Sequence, residues 1–94
     1  MTYKRENAET VALKALAWLA ENDELLPNFM ATTGLGVDEL RSRAQDPELL
    51  ASVLDYILMD DAWVAGFCET EGLPYESLMG VRQALPGGEQ IHWT

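Results

Sequence analysis

The chain has 94 residues, of which 48% are hydrophobic, and its 16 acidic and 6 basic side chains give a formal net charge of −10. This length fits one domain, and this apolar content argues against a disordered chain. The negative charge repels phosphate backbones and anionic lipid, so nucleic-acid and membrane partners are disfavoured. Fourteen Leu and eleven Ala against five Val and two Ile favour helix over strand.

The first part of the chain predicts three helices. The first covers about residues 8–21, where apolar side chains recur at helical spacing. The second runs from about Asp23 to Thr33, with Pro27 in its first turn, and Gly34 ends it in a left-handed cap. A short third helix covers about Val37–Ala44. Its predicted inward side chains are Val37, Leu40 and Ala44.

The remaining chain predicts three more helices. Asp46-Pro47 is typical of a helix start, with a capping acid followed by proline at the first helical position. Asp60 or Asp61 caps the fifth helix, which ends at Gly72. The sixth covers about Tyr75–Leu85, and residues 86–94 form a tail. The fourth helix carries the clearest amphipathic stripe, formed by Leu50, Val53, Leu54, Ile57 and Leu58.

The two parts repeat one another at an offset of 38 residues. When residues 16–45 are laid over residues 54–83 without a gap, eight of the 30 positions are identical. A fixed period of this length is typical of a duplicated supersecondary unit. The identical pairs are Leu16/Leu54, Asp23/Asp61, Phe29/Phe67, Thr32/Thr70, Gly34/Gly72, Leu35/Leu73, Leu40/Leu78 and Gln45/Gln83.

The repeat therefore predicts an all-α fold. Six short helices form two duplicated three-helix halves, about residues 8–45 and 46–83, with pseudo-twofold symmetry, inside a single domain of residues 1–94. A unit of this size rarely supports a core of its own, so the halves should share one core. The repeated apolar residues predicted to lie in it are Phe29, Phe67, Leu35, Leu73, Leu40 and Leu78; Trp18, Tyr56 and Trp63 are also predicted to be core.

The chain resembles the uncharacterised domain-of-unknown-function family numbered 3572, which is mainly alphaproteobacterial. The resemblance covers about residues 8–88 and implies a cytoplasmic bacterial protein, with no activity attached. The matching landmarks are Trp18, Phe29, Gly34, Leu35, Asp61, Phe67, Cys68, Gly72, Leu73, Pro74 and Pro86-Gly87-Gly88.

The turn between the second and third predicted helices has the outline of a helix-hairpin-helix. In such hairpins, backbone N–H groups of a Gly-aliphatic-Gly turn grip DNA phosphates. Gly34 and Gly36 supply the turn, and Arg41 and Arg43 follow it. The net charge opposes this interpretation, which leaves a pair of helix-capping turns as the preferred alternative.

No residue pattern indicates catalysis or a cofactor. The single cysteine, Cys68, lies on an apolar helix face, where it acts as a small hydrophobe. It cannot form an internal disulfide, which is compatible with a reducing cytosol. One cysteine and one histidine, His92, do not make a closed zinc site. We therefore expect a protein that is not an enzyme and holds neither metal nor cofactor.

The tail carries two apolar residues, Ile91 and Trp93, after a Pro-Gly-Gly break. They are candidate docking residues, either on their own domain or on another chain. The sequence thus favours a small, acidic, cytoplasmic protein-interaction or regulatory module that binds an unknown protein partner or forms a homodimer. The alternative is a nucleic-acid-associated helix-hairpin-helix module.

Overall fold

A computed structural model describes the backbone of residues 5–85 and the side chains of residues 7–85. Within this part of the chain there are six helices and no strand. The all-helical prediction is thereby confirmed for these residues. The helices are α1 (Arg5–Ala20), α2 (Leu25–Thr33), α3 (Val37–Ser42), α4 (Pro47–Leu58), α5 (Asp61–Glu71) and α6 (Ser77–Gln83).

Four of the helix ends follow from local hydrogen bonding and backbone conformation. The Asp46 carboxylate accepts a hydrogen bond from the Glu48 N–H at 2.9 Å, and the Asp60 carboxylate accepts one from the Ala62 N–H at 2.8 Å. Gly34 and Gly72 end α2 and α5 with φ angles of 78° and 71°. These caps confirm the predicted starts and the predicted left-handed glycines.

The start of α2 differs from the prediction. The cap comes from Asn22, whose Oδ1 accepts hydrogen bonds from the N–H groups of Glu24 and Leu25 at 3.0 and 3.1 Å. The acids that follow Asn22 make no side-chain cap, because the asparagine already occupies both amides. The helix therefore begins two residues later than expected.

Helix α4 is the centre of the fold. It packs against α1, α5 and α6; α6 also contacts α1, and α2 packs against α1. Helix α3 takes part in none of these extensive pairs and lies at the edge. The buried residues of α4 are Leu49, Leu50, Ala51, Val53, Leu54, Tyr56 and Ile57.

The core contains most of the residues predicted for it. Phe29, Phe67, Leu40 and Leu78 are buried, whereas Leu35 and Leu73 are only partly buried against the cluster. Tyr56 is buried, and Trp18 and Trp63 are partly buried. One assignment is wrong: the Val37 side chain is 48% exposed. The apolar pattern pointed Val37 inward, but Val37 is the first residue of α3, and that helix buries only Leu40.

Candidate functional site

A largely apolar groove lies between α5 and α6. We call it the second-half groove, and its volume is about 810 Å³. Its lining residues are Leu58, Asp61, Ala62, Val64, Ala65, Tyr75, Glu76 and Met79. Tyr75 and Met79 are 50% and 52% exposed, so large apolar side chains remain open to solvent along this groove.

The turn after α5 places both walls of the groove. Gly72 takes a left-handed conformation, and the N–H of Leu73 bonds to the carbonyl of Cys68 at 2.9 Å, so the chain leaves α5 sharply. Leu73 then packs against the core, and α6 anchors itself there through Leu78 and Val81. Met79 lies next to the buried Leu78 in the chain but on the outer face of the helix, because successive helical residues point about 100° apart.

Tyr75 is held at the rim of the groove by a carboxylate. Its hydroxyl donates a hydrogen bond to Oε2 of Glu69 at 2.9 Å. This hydrogen bond to the neighbouring carboxylate raises the pKa of Tyr75 above its ordinary value. The phenol therefore remains a neutral donor in the physiological range, with its ring restrained at the groove.

The surroundings of the groove are acidic. Asp61 and Glu76 line it, and Glu69 binds its tyrosine. The sequence has no Lys or Arg between Arg43 and Arg82. The Arg82 side chain is paired with Asp55, through Nε to Oδ1 at 2.6 Å and Nη2 to Oδ2 at 3.2 Å. The lining of the groove thus contains two acidic side chains and no Lys or Arg.

Cys68 lies beneath this region as part of the core. It is fully buried. Burial, with a smaller contribution from the charge of Glu76, raises the pKa of the Cys68 thiol. A buried thiol with a raised pKa is neither a good nucleophile nor a good metal ligand, which agrees with the interpretation of Cys68 as a small hydrophobe.

A smaller groove lies in the first half of the chain. This first-half groove has a volume of about 310 Å³ and is lined by Leu16, Ala20, Leu26, Val37, Leu40, Arg41 and Ala44. Four of its positions coincide with lining positions of the second-half groove when 38 is added to the residue number, namely Ala20/Leu58, Leu26/Val64, Val37/Tyr75 and Arg41/Met79. The two grooves therefore share four lining positions at the 38-residue offset, with a cation at Arg41 where the second has Met79.

Two of the predicted helix-hairpin-helix residues, Gly36 and Arg43, are hydrogen-bonded to carboxylates of the chain itself. The Gly36 N–H donates to Oε1 of Glu39 at 3.1 Å, so the chain's own carboxylate occupies the amide at the start of α3. Arg43 binds Oδ2 of Asp46 through Nε and Nη2 at 3.1 and 3.0 Å. Arg41 is exposed and lines the first-half groove. Gly34 has the left-handed conformation required of either a cap or a hairpin.

Two predicted docking residues, Ile91 and Trp93, lie outside the described residues, as does His92. The sequence interpretation missed the second-half groove. Its signal was the spacing of Tyr75 and Met79, which are four residues apart and flank the buried Leu78.

Within residues 7–85, no group of three or more His, Cys, Asp or Glu side chains is placed to hold a metal ion. Among the described helices, none is both long and apolar enough to cross a lipid bilayer.

Comparison of the sequence with known protein families gives a match to a family without an assigned activity. Residues 5–88 match the family described as "Protein of unknown function (DUF3572)". The match covers most of the chain, and the protein belongs to this family. No curated protein and no solved structure matches the chain.

Proposed function

We propose that this protein is a small cytoplasmic interaction or regulatory module that binds a protein partner through the second-half groove and performs no catalysis itself. One observation carries the proposal: Tyr75 and Met79, each about half exposed, both line a groove whose surface is mostly apolar. Burying apolar surface of this kind stabilises a complex by about 25 cal/mol per Å² before the costs of association.

The two exposed side chains are of the types that favour binding. Tyrosine is enriched at the energetically dominant positions of interfaces, and methionine adapts its shape to different partners. The hydrogen bond from Tyr75 to Glu69 holds the ring in place before a partner arrives. Less side-chain entropy is then lost on binding.

Site-specific photo-crosslinking tests the proposal. A benzophenone amino acid is placed at Met79 in the tagged full-length protein, in cells that naturally contain it. The matched control carries the same group at Leu13, an exposed apolar residue of α1 that does not line the groove. We expect a discrete crosslinked protein from position 79 and none from position 13.

Crosslinking only from position 13, or from neither position, would contradict the proposal. An adduct of twice the chain mass from position 79 would identify the partner as a second copy, the homodimer that the sequence left open.

The nucleic-acid alternative has less support. The Gly36 amide and the Arg43 side chain are both engaged by carboxylates of the chain itself. The net charge of −10 opposes a phosphate backbone. We expect a labelled DNA duplex at low salt to bind no more tightly than about 10⁻⁴ M in an anisotropy titration. Micromolar, salt-sensitive binding that disappears in an Arg41→Ala/Arg43→Ala variant would favour the alternative instead.

We also propose that the two halves arose by duplication and are related by a pseudo-twofold axis. The support is an exchange of contacts between the halves: Trp18 packs on Phe67, and Tyr56, 38 residues after Trp18, packs on Phe29, 38 residues before Phe67. A twofold axis imposes such reciprocal contacts: if a residue of one half touches a residue of the other, their two counterparts touch as well. An experimental structure in which residues 8–45 and 46–83 pack their helices in different orders would contradict it.

A further inference from the structure

We propose that the occupant of the second-half groove is a basic amphipathic helix of the partner, with apolar side chains on one face and Lys or Arg beside them. This inference rests on the proposed interaction function and names the chemistry of the partner. It follows from two properties of the same groove. Tyr75 and Met79 expose apolar surface along it, and Asp61 and Glu76 place acidic side chains in its lining.

The shape of the groove fits a helix. On α5, Ala62 and Ala65 lie three residues apart and therefore on one face, and they present only methyl groups to the groove. Small side chains allow another backbone to approach closely. On the opposite wall, Tyr75 and Met79 supply the larger apolar surfaces. Helix-in-groove complexes use this arrangement, with apolar anchors of the incoming helix spaced by three or four residues.

The charge selects a basic partner. Asp61 and Glu76 line the groove, and no Lys or Arg lines it. Glu69, which accepts the hydrogen bond of Tyr75, adds a third carboxylate beside it. A second copy of this acidic chain would bring its own negative charge against the same carboxylates. The sequence of the tail, residues 86–94, contains Glu89 and no Lys or Arg, so it lacks the complementary charge as well. A basic helix is attracted by the carboxylates of the groove, whereas a second copy of the chain or its own tail is not.

The first-half groove gives an internal comparison. Arg41 lies there at the position that corresponds to Met79. A cation at this position removes an apolar contact and repels a basic helix. The same helix should therefore prefer the second-half groove, and Met79→Arg should give the second groove this property of the first.

The test uses a fluorescein-labelled synthetic peptide of about 14 residues, four helical turns long, with Leu on one face and Lys on the other. Anisotropy titration with the full-length protein measures its dissociation constant. A peptide with Glu in place of every Lys is the charge control, and a peptide with the same residues in a non-amphipathic order is the shape control. We expect the Leu/Lys peptide to bind at least about tenfold more tightly than either control and to weaken as salt is added.

Two protein variants separate the groove from general attraction to an acidic protein. Met79→Arg and Met59→Arg change the net charge equally, and Met59 is 74% exposed but does not line the groove. Because both side chains are exposed, both variants should keep the fold, which circular dichroism verifies. We expect Met79→Arg to weaken binding about tenfold and Met59→Arg to change it by less than about twofold.

The inference is overturned if both variants weaken binding equally, or if the Glu peptide binds as well as the Lys peptide. Failure of the Leu/Lys peptide to bind, together with a crosslink from position 79, would overturn the basic helix but keep the groove as the interaction site. Absence of both peptide binding and the crosslink would overturn both proposals.

Discussion

Two aromatic contacts between the halves of the molecule have similar geometry but different residues. In one edge-to-face contact the Trp18 and Phe67 ring centroids are 6.0 Å apart at an interplanar angle of 68°. In the corresponding contact the Tyr56 and Phe29 centroids are 5.3 Å apart at 70°. The residues of the second contact lie 38 positions from those of the first. Similar geometry is therefore obtained from different aromatic residues.

The residue before each phenylalanine accounts for the difference. Gly66 precedes Phe67, and a Cβ atom at position 66 would lie only 3.2 Å from Cζ2 of Trp18. Asn28 precedes Phe29, and its Nδ2 donates a hydrogen bond to the hydroxyl of Tyr56 at 2.6 Å. The larger indole of Trp18 thus fits only because position 66 has no side chain. The smaller phenol of Tyr56 leaves room for Asn28 and is hydrogen-bonded by it. The size of the aromatic residue at position 18 or 56 therefore has to match the size of the residue at position 66 or 28.

The largest effects should come from the phenylalanines that both contacts share. Phe67→Ala and Phe29→Ala each remove a fully buried ring and should cost about 3–5 kcal/mol of folding free energy. Such losses are a large part of the free energy of unfolding of a typical domain, which is about 5–15 kcal/mol. Urea titration measures both variants. A loss below about 1 kcal/mol for either would contradict the idea that the two rings have equivalent roles in one core.

Substituting Gly66 or Asn28, the residues that precede the two phenylalanines, should lower the free energy of unfolding by less. Gly66→Asn forces a side chain against the Trp18 ring and should cost about 1–3 kcal/mol, as overpacking does. Asn28→Gly removes the hydrogen bond to Tyr56 and should cost about 1 kcal/mol for that bond, with a further contribution from glycine in a helix.

A double variant shows whether the two contacts are interchangeable. Trp18→Tyr together with Gly66→Asn recreates the Tyr56–Asn28 pair in the other half. We expect the double variant to be more stable than the sum of the single changes by about 1 kcal/mol, because the smaller ring makes room for the new side chain. Strict additivity would mean that positions 18 and 66 do not correspond in space to 56 and 28.

The comparison also shows which features can be predicted from the sequence. The caps at Gly34, Gly72, Asp46 and Asp60 were predictable because each depends on residues close in the chain. The exposure of Val37 was not, since it depends on how α3 packs against the rest of the fold.

The candidate site depends on tertiary packing in the same way. Tyr75 and Met79 are apolar residues in the α6 region, and only the placement of α5 and α6 on α4 shows that no described helix covers them. The 38-residue offset pairs several apolar positions of the two parts of the sequence. It did not indicate that the second half would have the larger groove.

The left-handed glycines should respond alike in both halves. Gly34 and Gly72 have similar φ angles, and an added Cβ atom meets nothing within 4 Å at either position. Gly34→Ala and Gly72→Ala should therefore cost only backbone strain, about 1–2 kcal/mol each. Thermal or urea unfolding compares them. Unequal losses differing by more than about 1 kcal/mol would show that one turn carries an additional constraint.

The smallest effect concerns a cap that only the second half has. Asp46 starts α4 and binds Arg43, whereas the corresponding residue, Ala8, is buried within α1. The hydrogen bond from the Glu48 N–H, followed by the bond from Arg43, lowers the pKa of Asp46. Because the folded carboxyl has the lower pKa, the unfolded chain takes up the proton first as the pH falls. The stabilisation by Asp46 is therefore fully present above the ordinary carboxyl pKa and is lost as the pH falls through the folded value.

Comparing wild type with Asp46→Asn by urea unfolding should show this dependence. We expect the wild type to be the more stable protein near neutral pH, and the difference to fade below about pH 4. Arg43→Gln should reduce the difference, because it removes the second cause of the shift, and it should have no pH-dependent effect in the Asp46→Asn background. A difference that stays constant down to low pH would instead mean that Asp46 acts through its shape and hydrogen bonding alone, as an asparagine cap would.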